Sequence, residues 1–162
     1  MGPRFLVDSM LGTLARWLRI TGFDAEYRRD ADDEDLLDEA GSSGRVLLTR
    51  DRALAARAAK RGVGVLLVEG EDDAEQLSMV ARSLGLSLDA TNSRCPKCNG
   101  DLVRAEKELI AKQVPEASLN AFDEFWVCAG CGSVFWRGSH WSQIVSTLRK
   151  AGAGCESGAK SL

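Results

Sequence analysis

Apolar residues at the start of the chain change from a continuous run to a helical spacing. Residues 5–7 (Phe-Leu-Val) form a short apolar run, which is typical of a buried strand. Asp8 and Ser9 interrupt this run, and the helical spacing that follows ends at Gly22. The apolar positions of this predicted helix are Met10, Leu11, Leu14, Trp17, Leu18 and Thr21. The pattern therefore places Asp8 where a strand ends and a helix begins.

Strand-like and helix-like segments continue to alternate as far as Leu84. Strands that alternate with helices of about ten residues are typical of βαβ units, so we predict an α/β fold with a mostly parallel sheet. The further predicted strands are residues 25–27, 45–49 and 63–68. The further predicted helices begin at Asp32 or Asp33, at Ala53 and at Asp72, and the first of them is expected to end in the glycine- and serine-rich residues 41–44.

The character of the sequence changes after residues 92–94. A short aromatic stretch bounded by cysteines follows, and helical spacing then returns from Trp141 to Lys150. Residues rich in glycine and serine end the chain. We therefore predict four segments: an α/β domain over residues 4–91, a cysteine-rich module over 92–138, a helix over 139–150 that packs back on the domain, and a disordered tail over 151–162.

The composition is that of a soluble globular protein, since 44% of the 162 residues are hydrophobic and 28% are charged. No apolar run approaches the ~20 residues that a membrane span needs, and we expect no membrane as a partner. The first residues lack the basic start and long apolar stretch of a secretory signal, which favours a cytoplasmic location. The sequence carries no signal for an oligomeric state.

Charge is distributed unevenly along the chain. Residues 1–93 contain 12 Lys and Arg against 17 Asp and Glu, a net charge of −5, whereas residues 94–162 contain 9 against 7, a net charge of +2. The acidic first part argues against binding nucleic acid by bulk charge. Clustered carboxylates are compatible with a metal site, because a cation relieves their mutual repulsion.

Two Cys-x-x-Cys pairs, Cys95/Cys98 and Cys128/Cys131, account for four of the five cysteines and are separated by 29 residues. Two such knuckles predict a four-sulfur zinc ribbon with a hairpin or insertion between the pairs. Because four thiolates close the coordination shell, we expect the Zn²⁺ to be structural. An iron–sulfur or rubredoxin-like iron site and a redox dithiol are the alternatives. The fifth cysteine, Cys155, lies in the tail and is expected to be incidental.

Acidic residues follow three of the predicted strands. Asp8, one of residues 32–35, and Asp51 are expected at one edge of the sheet, because the carboxyl ends of parallel strands share an edge. Carboxylates that meet there would hold one or two Mg²⁺ or Mn²⁺ ions, which activate water against a phosphodiester. The simpler interpretation is that Asp8 and Asp51 only cap the helices that follow them. Most acids between Asp30 and Glu39 are expected to form a solvated helix face.

Arg16, Arg19 and His140 are candidate substrate contacts outside the acidic residues. The two arginines share the polar face of the first predicted helix, near Asp8, where they are either solvated or anchor a phosphate. His140, the only histidine, is either structural or a substrate contact. The neighbouring tryptophans are expected mainly in the core of the zinc module, with base stacking as the alternative.

Several of these motifs, in this order, resemble the PIN-like ribonuclease domain of the Mut-seven C-terminal family. The resemblance covers roughly residues 4–150. The matching motifs are Phe5-Leu-Val-Asp8 with Leu11-Gly-Thr-Leu-Ala-Arg-Trp-Leu-Arg19 and Gly22-Phe-Asp24, then Asp33-Glu-Asp-Leu-Leu with Arg45-Val-Leu-Leu-Thr-Arg-Asp51, and finally the two cysteine pairs with Phe135-Trp-Arg-Gly-Ser-His140-Trp.

This resemblance implies a three-layer α/β/α sandwich with a zinc ribbon near its C-terminus. It also implies a metal-dependent endoribonuclease that acts on single-stranded or exposed RNA. In that pattern Asp8 is the first acid, and Asp51 is the acid of the Thr-x-Asp element. Asp33 is the preferred second acid, with Asp35 as the substitute. A further acid is common in active members of the fold, and it would come from residues 72–73, Asp73 included.

Two functions without catalysis are the alternatives. One is an RNA- or ribosome-binding module, in which the acidic site is degenerate and the basic ribbon binds. The other is a zinc-stabilised protein-interaction domain that does not bind RNA. A fourth carboxylate near Asp8 and Asp51 would favour the enzyme, whereas a Lys or Arg in that space would favour the binding module.

Overall fold

The computed structural model describes residues 2–152. Four short parallel strands form the central sheet of this part of the chain. The strands are β1 (Phe5–Val7), β2 (Ala25–Tyr27), β3 (Val46–Thr49) and β4 (Val65–Leu67), in the spatial order β2-β1-β3-β4. Val7 pairs with Tyr27 on one side and with Leu48 on the other, so the carboxyl ends of these strands lie at the same edge. The predicted α/β fold with a parallel sheet is confirmed.

Helices cover both faces of this sheet. The connecting helices are α1 (Gly12–Ile20), α2 (Asp33–Ser43), α3 (Arg52–Lys60) and α4 (Asp73–Leu84). Side chains of a strand point to alternate faces, so Phe5 and Val7 pack with α1 and α4, whereas Leu6 packs with α2 and α3. The result is a three-layer α/β/α sandwich. None of the helices within residues 2–152 has the length and apolarity that crossing a membrane requires.

Helix α2 is longer than its sequence suggests. We expected residues 41–44 to break it, but the helix continues through Gly41 and ends at Gly44, whose φ of 70° is left-handed. A glycine inside a helix costs only about 1 kcal/mol. The buried face of α2, which includes Leu36 and Leu37, outweighs that cost.

A second, antiparallel sheet carries the cysteines. It consists of β5 (Leu102–Ala105), β6 (Phe125–Cys128) and β7 (Val134–Trp136). The short helices α5 (Lys107–Ile110) and α6 (Glu116–Ala121) lie in the insertion between β5 and β6 and enclose a small core around Ile110, Val114 and Phe125. We call residues 94–138 the ribbon.

The last helix, α7 (Trp141–Gly152), packs against α4. Leu148 and Ala151 are buried in the same core as Leu77 and Val80 of α4. Ala151 and Gly152, the first two residues of the predicted tail, belong to this helix. The rest of that tail, including Cys155, lies outside the described residues, and the predicted domain boundaries stay predictions.

Candidate functional site

Aspartates cap the helical segments that begin at the carboxyl edge of the parallel sheet. The residues are Asp8, Asp32, Asp51 and Asp72, and each accepts a hydrogen bond from a main-chain N–H of the following turn at 2.6–2.9 Å. Such bonds satisfy N–H groups that have no partner within the helix. The capping interpretation of Asp8 and Asp51 therefore describes part of what these two carboxylates do.

A threonine joins two of these aspartates. The Thr49 hydroxyl donates to Asp8 Oδ2 at 2.8 Å, and the main-chain N–H of Asp51 donates to the Thr49 hydroxyl at 3.0 Å. Thr49 and Asp8 are both buried, whereas Asp51 is exposed. Sequence analysis did not single out Thr49, although the Thr-x-Asp spacing carried the signal. We call Asp8, Thr49 and Asp51 the acidic edge.

Asp33 does not join the acidic edge. Its Oδ2 lies 3.3 Å from Arg57 Nη1 of α3, and its side chain is 48% exposed. Asp35 is exposed on the first turn of α2, and Asp73 is exposed at the start of α4. In the described range 2–152, the only set of three or more His, Cys, Asp or Glu side chains close enough to hold a metal is made of cysteines. The expected convergence of Asp8, Asp33 and Asp51 is therefore not observed.

The cysteines Cys95, Cys98, Cys128 and Cys131 form that set, with sulfur atoms within 4.8 Å of one another. Cys95 Sγ lies 3.7 Å from Cys131 Sγ, and Cys98 Sγ lies 3.4 Å from Cys128 Sγ. Four sulfurs around a tetrahedral zinc at about 2.3 Å would be about 3.7 Å apart. The donor set and spacing therefore fit a zinc ion, and the four cysteines could hold one.

The protonation of these thiols differs with their surroundings. Burial raises the pKa of Cys95 to about 12. Hydrogen bonding with the side chain and main chain of Ser133 lowers the pKa of Cys131 to about 6. Zinc binds the thiolate form. At neutral pH, therefore, Cys131 is ready to bind a metal, whereas Cys95 must first release its proton.

Arg19 fixes the first cysteine knuckle to the parallel sheet. Its Nε donates to the Ala25 carbonyl at 2.8 Å, and its Nη1 donates to the Pro96 carbonyl at 3.0 Å. The expectation that Arg19 faces solvent near Asp8 is wrong, because the residue is only 6% exposed and Ala25 is at the amino end of β2. Arg19 is therefore a structural link and not a surface RNA contact.

Asn99 completes this link. It has a φ of 70°, a conformation that asparagine tolerates better than most residues. Its Oδ1 accepts from the Ala25 N–H at 3.0 Å, and its Nδ2 donates to Asp24 Oδ1 at 2.7 Å. Asp24 also pairs with Arg45 at 2.7 Å. Sequence analysis missed this role, for which the Asn-Gly pair after Cys98 was the available signal.

The other two candidate RNA contacts line a groove between the ribbon and the helices. Arg16 and His140 are exposed there, and the groove has a volume of about 400 Å³. Trp136 and Trp141 line the same groove. The groove is formed by α1, α7, the ribbon and residues 90–93 that precede the ribbon, and Asp8 and Asp51 are not part of it.

Together these features define an α/β/α protein with a four-cysteine ribbon joined to the amino end of its sheet. A family model described as the Mut7-C RNAse domain matches residues 3–148, and the chain belongs to this family. The resemblance seen in the sequence motifs is thereby confirmed, and the family indicates a ribonuclease-type function with RNA as substrate. Comparison with curated proteins and with solved structures found no match.

Proposed function

We propose that this protein is a cytoplasmic, metal-dependent endoribonuclease that hydrolyses phosphodiester bonds of single-stranded or exposed RNA. The observation that carries the proposal is the pair of hydrogen bonds by which Thr49 connects Asp8 to Asp51. Ligands of α/β proteins bind at the carboxyl edge of the strands, where this pair lies. Membership of the Mut7-C RNAse domain family supports the choice of RNA as substrate.

The acidic edge has the donor atoms that Mg²⁺ or Mn²⁺ requires. Magnesium is commonly bound by one or two carboxylates together with substrate phosphates. Asp51 uses Oδ1 to cap α3, and within residues 2–152 no hydrogen bond reaches its Oδ2. Asp8 and Asp51 would therefore hold the cation, and Asp33, Asp35 or Asp73 would join only after a side-chain rearrangement.

Each residue of the acidic edge has a distinct part in this proposal. An anionic phosphate approaches two carboxylates only where a cation offsets their charge. A bound divalent cation would act as a Lewis acid that activates water and neutralises phosphate charge. Asp8 is held in one orientation by Thr49, and Asp51 leaves an exposed oxygen for the substrate side. The cysteines would hold structural Zn²⁺, with no open position for catalysis.

The proposal is tested by incubating a mixed-sequence single-stranded RNA with the protein and Mn²⁺. We expect the wild-type chain to cleave, and we expect Asp8→Asn to lose cleavage by at least about 100-fold. Asp123→Asn is the matched control, because Asp123 is an exposed acid of the ribbon and is not part of the acidic edge. Equal cleavage by wild type and Asp8→Asn would refute the assignment.

One observation favours a second candidate, a non-catalytic RNA- or ribosome-binding module. Asp33 is paired with Arg57 and does not complete a group of three acids with Asp8 and Asp51. This candidate predicts RNA affinity without cleavage. The affinity would survive replacement of all three aspartates by asparagine and would fall steeply with salt.

A further inference from the structure

Aromatic and basic side chains line the groove between the ribbon and the helices. One wall is the face of the ribbon sheet that carries Trp126 and Phe135, and the other wall includes Trp141 of α7 and Arg16 of α1. Its volume of about 400 Å³ lies within the range of known ligand sites, which is roughly 300–1,000 Å³.

Two aromatic side chains of this wall take no part in the cores of the protein. Trp126 and Phe135 are directly opposite each other in the β6–β7 pairing. Their neighbours Phe125 and Trp136 pack in the small core, although Trp136 also lines the groove. Trp126 and Phe135 belong to none of the three apolar cores of the described residues and are half-buried. They therefore offer two adjacent ring faces to the groove.

The charge of the groove is opposite to that of the chain. The lining includes Arg16, Lys97, Arg137 and His140 and no Asp or Glu, whereas the whole chain has a net charge of −3. Within residues 2–152, no ion pair involves Arg16, Lys97 or Arg137. These cations thus remain available to an anionic ligand.

Arg137 combines both properties. Its guanidinium lies 5.5 Å from the Trp126 ring centre and 4.6 Å from the Trp141 ring centre. Contact with two aromatic rings holds the planar guanidinium in place without neutralising it. A guanidinium held beside these rings can donate its N–H groups to the phosphate next to a base that stacks on a neighbouring ring.

We infer that this groove is a binding site for single-stranded RNA, separate from the acidic edge. Bases stack on Trp126 and Phe135, and phosphates lie next to Arg16, Lys97 and Arg137. Paired bases are not available for such stacking, so the site selects unpaired RNA with little preference for sequence. The inference rests on the proposed function only in taking RNA as the ligand.

The groove is distant from the acids along α1. It contacts Arg16 in the middle of this helix and Ile20 at its end, whereas Asp8 precedes its first turn. The nine residues from Gly12 to Ile20 span eight steps along the helix, which correspond to a rise of about 12 Å. A strand bound in the groove therefore engages the protein away from the bond to be cleaved, and it determines which RNAs are retained.

The test measures RNA binding without cleavage. Fluorescence anisotropy of a labelled 12-nucleotide single-stranded RNA is followed with full-length Asp8→Asn protein. In this background we expect Trp126→Leu, and separately Arg137→Gln, to weaken binding about tenfold, which for the tryptophan is typical of the loss of one stacked base. Trp126→Phe keeps a stacking ring and should bind within about threefold of the parent. Arg82→Gln removes an exposed arginine of α4 outside the groove and should change nothing.

The outcomes separate this inference from the proposed function. If wild type fails to cleave while Trp126→Leu and Arg137→Gln lose binding, the inference stands and the nuclease assignment fails. If wild type cleaves and both variants, with unchanged melting temperatures, bind RNA as tightly as the parent, the inference is overturned. Equal affinity for a duplex of the same length, or equal competition by poly-glutamate, also overturns it, because the groove would then recognise duplex shape or negative charge alone.

Discussion

The Thr49 hydroxyl donates a hydrogen bond to Asp8 Oδ2 at 2.8 Å. Thr49 is the last residue of β3, and Asp8 follows the neighbouring strand β1. The same hydroxyl accepts from the Asp51 N–H at 3.0 Å, so one side chain determines both the orientation of Asp8 and the path of the chain into α3. Parallel pairing of β1 with β3 brings the two aspartates together from positions 43 residues apart in the sequence. The pairing register of β1 with β3 therefore places Asp8 and Asp51 at the same edge of the sheet.

Thr49→Val should destabilise the protein and weaken cleavage. Valine has nearly the same shape but no hydroxyl, so it leaves the Asp51 N–H and Asp8 Oδ2 without their shared partner. Loss of a buried hydrogen-bond partner costs about 1–3 kcal/mol in the free energy of unfolding. Urea unfolding measures this loss, and Thr49→Ser, which keeps the hydroxyl, should retain most of the stability. A Thr49→Val protein as stable as wild type would show that the hydrogen bonds contribute nothing.

Local patterns predicted the elements around the acidic edge well. The apolar run of residues 5–7 forms β1, and Asp51 follows β3 and caps α3, as one interpretation of the sequence held. These features depend on residues that are close together in the chain. Backbone propensities and capping act over the same short range, which is why the sequence reveals them.

Long-range contacts explain where the sequence interpretation was wrong. Helical periodicity places Arg19 on the polar face of α1, but the Pro96 carbonyl that it binds is 77 residues away. Asp33 begins α2 as expected, yet its side chain pairs with Arg57 from a different helix. Neither partner leaves a local signal next to the residue that it contacts. Only the packing of the ribbon on the sheet, and of α2 on α3, determines these two positions.

Asn99→Gly should separate the contribution of the side chain from that of the backbone. Glycine accepts the φ of 70° without strain but removes the bonds to Ala25 and Asp24. We expect a loss of about 1–3 kcal/mol in the free energy of unfolding. Asn99→Ala should lose about 1 kcal/mol more, because alanine is strained in this conformation. Thermal and urea unfolding measure both. Equal stability of Asn99→Ala and Asn99→Gly would exclude backbone strain at this position.

Asp24 should make the stability depend on acid pH. Burial raises the pKa of Asp24, but hydrogen bonds from Arg45 and Asn99 outweigh it and leave the pKa below the ordinary value of 3.8. A lowered pKa in the folded state means that the stabilisation is complete above about pH 4 and is lost as the pH falls through the folded value. Wild type should therefore lose more stability than Asp24→Asn between about pH 4 and about pH 2.

Unfolding by urea at a series of pH values measures this dependence. Asp123→Asn serves as the control, because its carboxyl is almost fully exposed and its replacement should leave the acid dependence of wild type unchanged. If the free energy of unfolding falls equally with pH in wild type and in Asp24→Asn, the prediction fails. Arg45 and Asn99 would then not stabilise the charged form of Asp24 over its neutral form.

Zinc removal should unfold the ribbon and break the hydrogen bonds through Arg19 and Asn99 that link it to the parallel sheet. The ribbon core contains only three fully enclosed apolar side chains, Ile110, Val114 and Phe125, so a metal is needed to stabilise it. We expect one zinc per chain in wild type and in Cys155→Ser, and none in Cys128→Ser. Metal analysis and tryptophan fluorescence test this expectation. Full zinc content in Cys128→Ser would exclude the four-cysteine site.

The pH dependence of zinc affinity follows from the unequal thiols. Cys131, with a pKa of about 6, is already a thiolate at pH 7, whereas Cys95, with a pKa of about 12, must lose a proton when zinc binds. Binding that releases at least one proton becomes about tenfold tighter for each unit of rising pH. Competition with a zinc-binding dye between about pH 6.5 and about pH 7.5 measures the slope, and calorimetry in two buffers counts the protons. An affinity that stays constant over this range would mean that all four sulfurs are already deprotonated before zinc binds. In that case burial would not raise the pKa of Cys95 above neutral pH.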